Sequence, residues 1–499
     1  MHIAMVSAEC APIAKAGGLG DFVQGLAREL ARIGEHVEVI LPAYDSLRFE
    51  TLDRPRPLDI EFQVPFKGES IPCQVLGLRL DGYECRLIAP RSAQGFFERG
   101  RLYGEPDDAE RFAFFARAVA DYVSRPESRP DVLHCNDWQT GLVPVLLAER
   151  RAAGERIPVC YSLHNVGYQG WVEAALLTWI GLDPVRLLTP ERLADVGDPR
   201  RANLMKGGIA AADAVNTVSP RYAWEIQNTE QGMGLQSWFQ RHGYKFGGIL
   251  NGIDETVWNP LTDPLIPANF GPESLPRKAL DRRALRVRLG LEEAADRPII
   301  AVVSRLDRQK GVELIAHGLQ HGLDAGAQIV LLGSAIEPAI AERFERLKSR
   351  LETNPHAHLE LGYDESLAHL IYAGADMILI PSLYEPCGLT QLIAMRYGTV
   401  PIARRVGGLA DTLHDANYSS APFESRNGYL FDEPTTEALE SAMDRALELW
   451  HDHPQYFSQL RLNGMRGDYS WRRPAQAYLD LYAYARQVQC ARESASSRR

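Results

Sequence analysis

Short apolar runs that do not alternate with polar residues recur along the chain, and each is followed by a turn and a helical stretch. Met377-Ile378-Leu379-Ile380 is such a run, and a strand with no polar face is one buried on both sides of a parallel sheet. In the first half the same pattern appears at His2 to Glu9, His36 to Leu41, Asp131 to His134, Val159 to His164 and Ala214 to Val218. After the Pro-, Asn- and Gly-rich segment Asn259 to Pro276 and a charged helix from Arg282 to Leu289, it restarts. The runs there are Ile299 to Val303, Gln328 to Leu332, His358 to Leu361, Met377 to Ile380 and Val400 to Ala403. Strand, turn, helix and strand in succession make βαβ units. The chain therefore reads as α/β, with two doubly wound Rossmann-like domains. Residues 58 to 90 alternate apolar and polar positions and read as antiparallel or edge strands, and a helix is expected from about Asp107 to Ser124.

The helix after the first strand shows Phe22, Leu26, Leu30 and Ile33 on one face and stops at Gly34. A last helix opened by Pro474 carries Tyr478, Leu481, Tyr482, Ala485 and Val488 on a face that must pack on something. The domains expected are 1–255 and 256–470, then a helix over 471–490 and a disordered polar tail over 491–499.

At 499 residues the chain is too long for one ordinary domain. Its net charge of −11 argues against a nucleic-acid partner, although a local basic cleft is compatible with it. The seven cysteines are scattered with no Cys-x-x-Cys pair, which favours reduced thiols over disulfides or zinc. No apolar run approaches a membrane span, and Met1 leads directly into a strand without a basic leader. A cytoplasmic protein with no membrane partner is expected. The chain is silent on oligomeric state and leaves a homo-oligomer open.

Ligands of open α/β sheets sit beyond the carboxyl ends of the strands. After Ile380 comes Pro381-Ser382-Leu383-Tyr384-Glu385-Pro386-Cys387-Gly388, with a helix expected to start near Thr390. A carboxylate next to the free N–H groups of a helix start suits something neutral attached to something phosphorylated. The same stretch equally reads as a tight connection whose Glu385 only caps the helix. At another strand end, Arg305 and Lys310 would pair with a diphosphate, one as a planar fork and one as a point charge; a solvated charge cluster is the alternative. Lys15-Ala16-Gly17-Gly18 lies where a βα turn binds phosphate, yet Val23 stands where a dinucleotide fingerprint needs glycine, and the segment alone reads at least as well as a Gly-lined turn before a helix. Asp137 and His164 end strands and could bond sugar hydroxyls or assist proton transfer, but each reads equally as a satisfied structural hydrogen bonder, and Asn251 to Asp254 reads equally as a turn. No metal site and no cofactor are called for.

Taken together, Lys15-x-Gly-Gly-Leu, Asp137-Trp-Gln-Thr-Gly141, His164-Asn165, Asn251-Gly-Ile-Asp254, Ser304-Arg305-Leu306 with Lys310-Gly311, and Glu385-Pro-Cys-Gly-Leu-Thr-Gln391 occur in one order. That order resembles bacterial glycogen synthases and plant starch synthases. Thr217 to Pro220, Trp258 to Pro260 and Arg404 to Leu409 also look like this family, so the match runs from about residue 2 to 485. The resemblance implies a B-type glycosyltransferase fold, two domains facing across a cleft, with the last helix returning to the first domain. It implies transfer of glucose from ADP-glucose to the nonreducing end of an α-1,4-glucan such as glycogen, with retention and without metal.

By the same resemblance, Lys15 and the Gly17-Gly18 backbone would hold donor phosphate, and Arg305 and Lys310 would bind the diphosphate. Tyr363 would lie against adenine, and Asp137, His164 and Asn251 would line the glucose pocket. Glu385, Cys387 and Gly388 would meet the sugar, Thr390 the phosphate, and Leu389 between them would also contact substrate. Three departures concern nucleotide preference: Ala16 where Thr is usual, Cys135-Asn136 for Ala-His, and Val406 for Thr. UDP-glucose as donor, a non-catalytic glucan-binding protein and a nicotinamide-dependent oxidoreductase are the competing readings.

Overall fold

The computed structural model describes residues 1–49, 52–151 and 157–496. It divides into two compact units, Met1–Gly252 together with the chain from Trp471 onward, and Ile253–Ser470. The first unit holds β1 (His2–Val6), β2 (His36–Pro42), β3 (Arg56–Phe66), β4 (Glu69–Leu80), β5 (Tyr83–Pro90), β6 (Val132–Asn136) and β7 (Val159–Leu163). It also holds β8 (Trp171–Glu173), β9 (Arg201–Asn203), β10 (Ala214–Thr217) and β11 (Phe246–Gly248).

Nine of these strands form one sheet in the order β11-β10-β7-β6-β1-β2-β5-β4-β3, and β8 pairs with β9 separately. Among the described residues of the large sheet, only β3–β4 and β4–β5 pair antiparallel. The parallel strands are wrapped on both faces, so Ile3 to Val6 have no exposed surface. β3 alternates exposed and covered positions, as an edge strand must.

Helix Gly18–Arg32 buries Phe22, Leu26 and Leu30 against this sheet. Ile33, expected on the same face, is 42% exposed. It caps the helix, and Gly34 at φ +101° turns the chain away into β2 before the stripe can continue. The last helix, Arg472–Ser496, seats Tyr478, Tyr482 and Ala485 in the core of this same unit. The tail expected from 491 is helical as far as Ser496, because no Gly or Pro interrupts Ala491 to Ser496; 497–499 lie outside the described residues.

The second unit contains β12 (Ile299–Arg305), β13 (Gln328–Ser334), β14 (Ala357–Leu361), β15 (Met377–Ile380), β16 (Val400–Arg404) and β17 (Tyr429–Phe431). They form a wholly parallel sheet in the order β14-β13-β12-β15-β16-β17. Strand order reverses between β12 and β15, so a crevice opens at their carboxyl ends. In the first unit the reversal falls between β1 and β6.

The boundary expected at 255/256 falls at 252/253. The segment read as a connection, Asn259 to Pro276, is packed instead. Ile253, Ile266 and Phe270 join a core with Tyr372 and Tyr397, and buried Asp263 accepts hydrogen bonds from His369 Nδ1 at 2.7 Å and Tyr397 Oη at 2.6 Å. The charged helix begins earlier than expected, at Lys278. The Lys278 ammonium is buried on the carbonyls of Tyr372, Ala373 and Tyr397. Among the described residues no helix is long and apolar enough to cross a membrane.

Candidate active site

In the second unit, the loops leaving β12 and β15 are fastened to each other at the switch point. Leu383 N–H donates to the Gln309 carbonyl at 2.8 Å. Gly311, at φ +71°, passes so close to Pro381 that a Cβ would lie 2.3 Å from its carbonyl oxygen. Asp307 accepts from the Lys310 N–H at 3.1 Å and so shapes the short turn Arg308–Lys310. The Lys310 ammonium thereby reaches Glu385, with Nζ 2.6 Å from Oε2. Ser382 Oγ donates to the same oxygen at 2.9 Å. Both charged side chains are largely covered, at 18% and 7% exposed.

The turn beyond Glu385 depends on glycine. Gly388 sits at φ +72°, over the Gln391 side chain that donates to the Cys387 and Gly388 carbonyls. Helix Thr390–Arg396 then starts where expected, and Thr390 lines a narrow cavity with Val303, Ser304, Lys310 and Ser382. Cys387 is buried, and Leu389 packs partly buried on the core. Arg305 is half exposed, 3.4 Å from Asp307 Oδ2, and Tyr363 beyond β14 is 78% exposed. Arg404 braces the same loop by donating to the Leu383 carbonyl at 2.7 Å.

In the first unit, Ala16 and Gly17 N–H groups both donate to Glu9 Oε2, at 2.7 and 2.8 Å. Tyr103 Oη donates to Glu9 Oε1 at 2.9 Å. The Gly17 N–H expected on a phosphate is thus occupied by a buried side chain: an internal carboxylate shapes the loop. Gly18 opens helix Gly18–Arg32, and Lys15 Nζ lies 2.7 Å from Asp21 Oδ1.

Asp137 and His164 are brought together at the ends of β6 and β7. Asp137, a non-glycine residue at φ +55°, accepts from the His164 N–H at 2.7 Å. Burial pushes its carboxyl up to about 7, against the opposing pull of the His164 and Asn165 N–H groups. His164 Nε2 lies 2.9 Å from Asn136 Oδ1, and Asn136 Nδ2 donates to the Val6 carbonyl, so Oδ1 accepts and Nε2 carries the hydrogen. Burial lowers the His164 imidazole to about 3, so it is neutral. Asn251 is half-buried, and its Oδ1 is a buried acceptor with no partner among the described residues.

The family description "Starch synthase catalytic domain" matches residues 2–241, and "Glycosyl transferases group 1" matches 286–460. Glycogen synthase 1 of Nitrosococcus oceani is 50% identical over 98% of this chain and 100% of its own length. The chain belongs to the glycogen and starch synthase family. Probable glycogen synthase 2 of Synechocystis is 47% identical over 97% of this chain and all of its own. The catalytic domain of starch synthase IV from Arabidopsis thaliana, solved bound to ADP and acarbose, superposes with a TM-score of 0.94. It is 39% identical, covering 97% of this chain and 99% of that one. The fold is that of GT-B glycosyltransferases, and the enzyme is a glycosyltransferase of the glycogen/starch synthase type.

In this synthase Glu9, Ser382 and Arg404 also support the site, and the local sequence around Ser382 and Arg404 carries no pattern that marks them for it. Glu9 directly follows an apolar strand and precedes a glycine loop, which is the one signal that it turns inward.

Proposed function

We propose that the enzyme transfers the glucosyl unit of ADP-glucose to the 4-hydroxyl at the nonreducing end of an α-1,4-glucan, with retention, in the cytoplasm. The observation that carries this reading is the covered Lys310–Glu385 pair at the β12/β15 switch point, beside the start of helix Thr390–Arg396. Cleaving a glycosyl–phosphate bond builds negative charge on the diphosphate and positive charge on the sugar. Arg305, Lys310, Lys15 and the helix start at Thr390 answer the first, and Glu385 places a carboxylate beside the second. Tyr363 offers an exposed ring to adenine. In the first unit Asp137, His164 and Asn251 offer acceptors and a neutral imidazole to sugar hydroxyls; in the second, Cys387, Gly388 and Leu389 follow Glu385 in the turn assigned to the sugar.

Retention by same-face attack leaves the departing phosphate to take the acceptor's proton. The competing route uses Asp137 or Glu385 as nucleophile, and trapping a glucosyl-protein adduct would decide for it. The donor is tested by incorporation of labelled glucose into glycogen from ADP-glucose and UDP-glucose side by side. ADP-glucose is expected to give a kcat/KM about tenfold higher or more. A preference for UDP-glucose overturns the donor assignment, and no incorporation from either overturns the reading.

Asp137 adds a pH dependence. Its pKa of about 7 is raised above the ordinary carboxyl value, so the fold favours the protonated form. The stability this contributes is present below about pH 4 and is lost as pH rises through 7. Activity runs the other way, because only the carboxylate accepts from a sugar hydroxyl without donating in turn. The kcat/KM profile is expected to show an acid limb with a midpoint near pH 7. That limb should vanish in Asp137→Asn, and its persistence there assigns it to another group.

A further inference from the structure

Behind the Asp137–His164 pair lies a line of fully buried polar side chains that the transfer chemistry does not use. Ser162 Oγ donates to Asn216 Oδ1 at 2.6 Å. A hydroxyl has one hydrogen, so its 2.6 Å contact with His134 is one in which His134 Nε2 donates. His134 Nδ1 is then an acceptor, and the Tyr482 hydroxyl at 2.9 Å donates to it. At the other end Asn216 Nδ2 donates to the Tyr478 hydroxyl, also at 2.9 Å.

Every bond points the same way: Tyr482 to His134 to Ser162 to Asn216 to Tyr478. The relay begins and ends on the final helix and crosses β6, β7 and β10 between. All five members are buried, and burial holds the His134 imidazole neutral, down to about 3. A chain of this kind admits one register of the helix on the sheet, since a shift leaves several buried groups unpaired at once.

The relay touches the site by two routes. His134 lies two residues before Asn136 on β6, Ser162 lies on β7 two residues before His164, which follows that strand's end, and Asn136 bonds His164 Nε2. The Phe22 ring meets His164 edge-on at 4.4 Å, and also His134 at 6.0 Å, Tyr478 at 5.6 Å and Trp471 at 5.6 Å. Phe22 is thus pressed between the last helix and the imidazole.

We propose that Tyr478 and Tyr482 are positioning residues for glucosyl transfer, acting through the His134–Ser162–Asn216 relay and Phe22 to hold His164 in its reactive orientation. This rests on the reading of His164 as a wall of the glucose pocket.

The test is a double-mutant cycle on the full chain, read by steady-state glucose incorporation and by thermal melting. Tyr482→Phe keeps the ring and removes only the hydroxyl. It is expected to lower kcat about tenfold with KM for ADP-glucose unchanged. In the His164→Ala background the same change should cost nothing further, because the group it orients is gone. Tyr478→Phe should behave alike. Parent-like kcat in Tyr482→Phe, even with a lowered melting temperature, shows a purely structural tyrosine and overturns the proposal. An equal loss with and without His164 also overturns it while leaving the site reading intact. Parent-like turnover in His164→Ala itself brings down that reading, and the proposal with it.

Discussion

Replacing Lys310 with alanine is expected to slow turnover by about 10²–10³-fold, the effect of deleting one fixed donor from a site where charge develops. Its ammonium stands 2.6 Å from a carboxylate that is 7% exposed, so the variant leaves the buried Glu385 carboxylate to the Ser382 hydroxyl. Stranding a buried charge costs about 3–5 kcal/mol, and because Lys310 retains some solvent contact the lower end applies. Stability and turnover therefore fall together in Lys310→Ala. They separate in Lys310→Met combined with Glu385→Gln, where neither charge is left unpaired: melting returns toward the parent, while glucose incorporation stays low. Turnover near the parent's in Lys310→Ala removes that residue from the diphosphate.

The parallel sheets were legible because strands covered on both faces must be apolar throughout; β1, β12 and β15 announce themselves by lacking alternation. The strands β8, β9, β11 and β17 span three residues each, too few to show any period, and their pairing is settled by neighbours distant in sequence. Asn259 to Pro276 misled for a different reason. Pro, Asn and Gly report turns, and turns pack: Asn269 Nδ2 donates to the carbonyls of Pro260 and Asp263 inside that very segment.

The topology directs attention to residues at strand ends, and the fold brings Asp137 to His164 and Lys310 to Glu385 there. What holds them is not legible in the sequence. Glu9 takes the Gly17 N–H that a glycine loop offers in general to a ligand, and no local pattern distinguishes an internal anion from an external one. Tyr478 and Tyr482 were placed correctly on a buried face by helical spacing, yet their partners His134 and Asn216 lie more than 250 residues earlier in the chain.

Gly408→Ala is expected to cost about 10²-fold in turnover although its side chain would touch no substrate. The residue lies in the first turn of helix Gly407–Thr412, whose N-terminus abuts the Glu385–Gly388 loop. Gly408 N–H donates to the Glu385 carbonyl at 3.0 Å. A Cβ there would stand 1.9 Å from the Cys387 carbonyl oxygen, where real contacts are essentially never under 3.0 Å. Both partners are backbone, so no rotamer relieves the clash, and the loop must retreat by roughly 1 Å, a misplacement of the size that costs about 10²-fold. Gly407 is barred the same way, with φ +45° and a Cβ position 1.9 Å from the Glu385 carbonyl. The retreat carries Glu385 away from Lys310, so kcat falls while the rest of the sheet is undisturbed. Gly247→Ala in β11 meets nothing within 4 Å and should behave as the parent, which separates the clash from the mere loss of a glycine. Parent-like kcat in Gly408→Ala would mean that the loop tolerates displacement, and then Glu385 does not act from the position described.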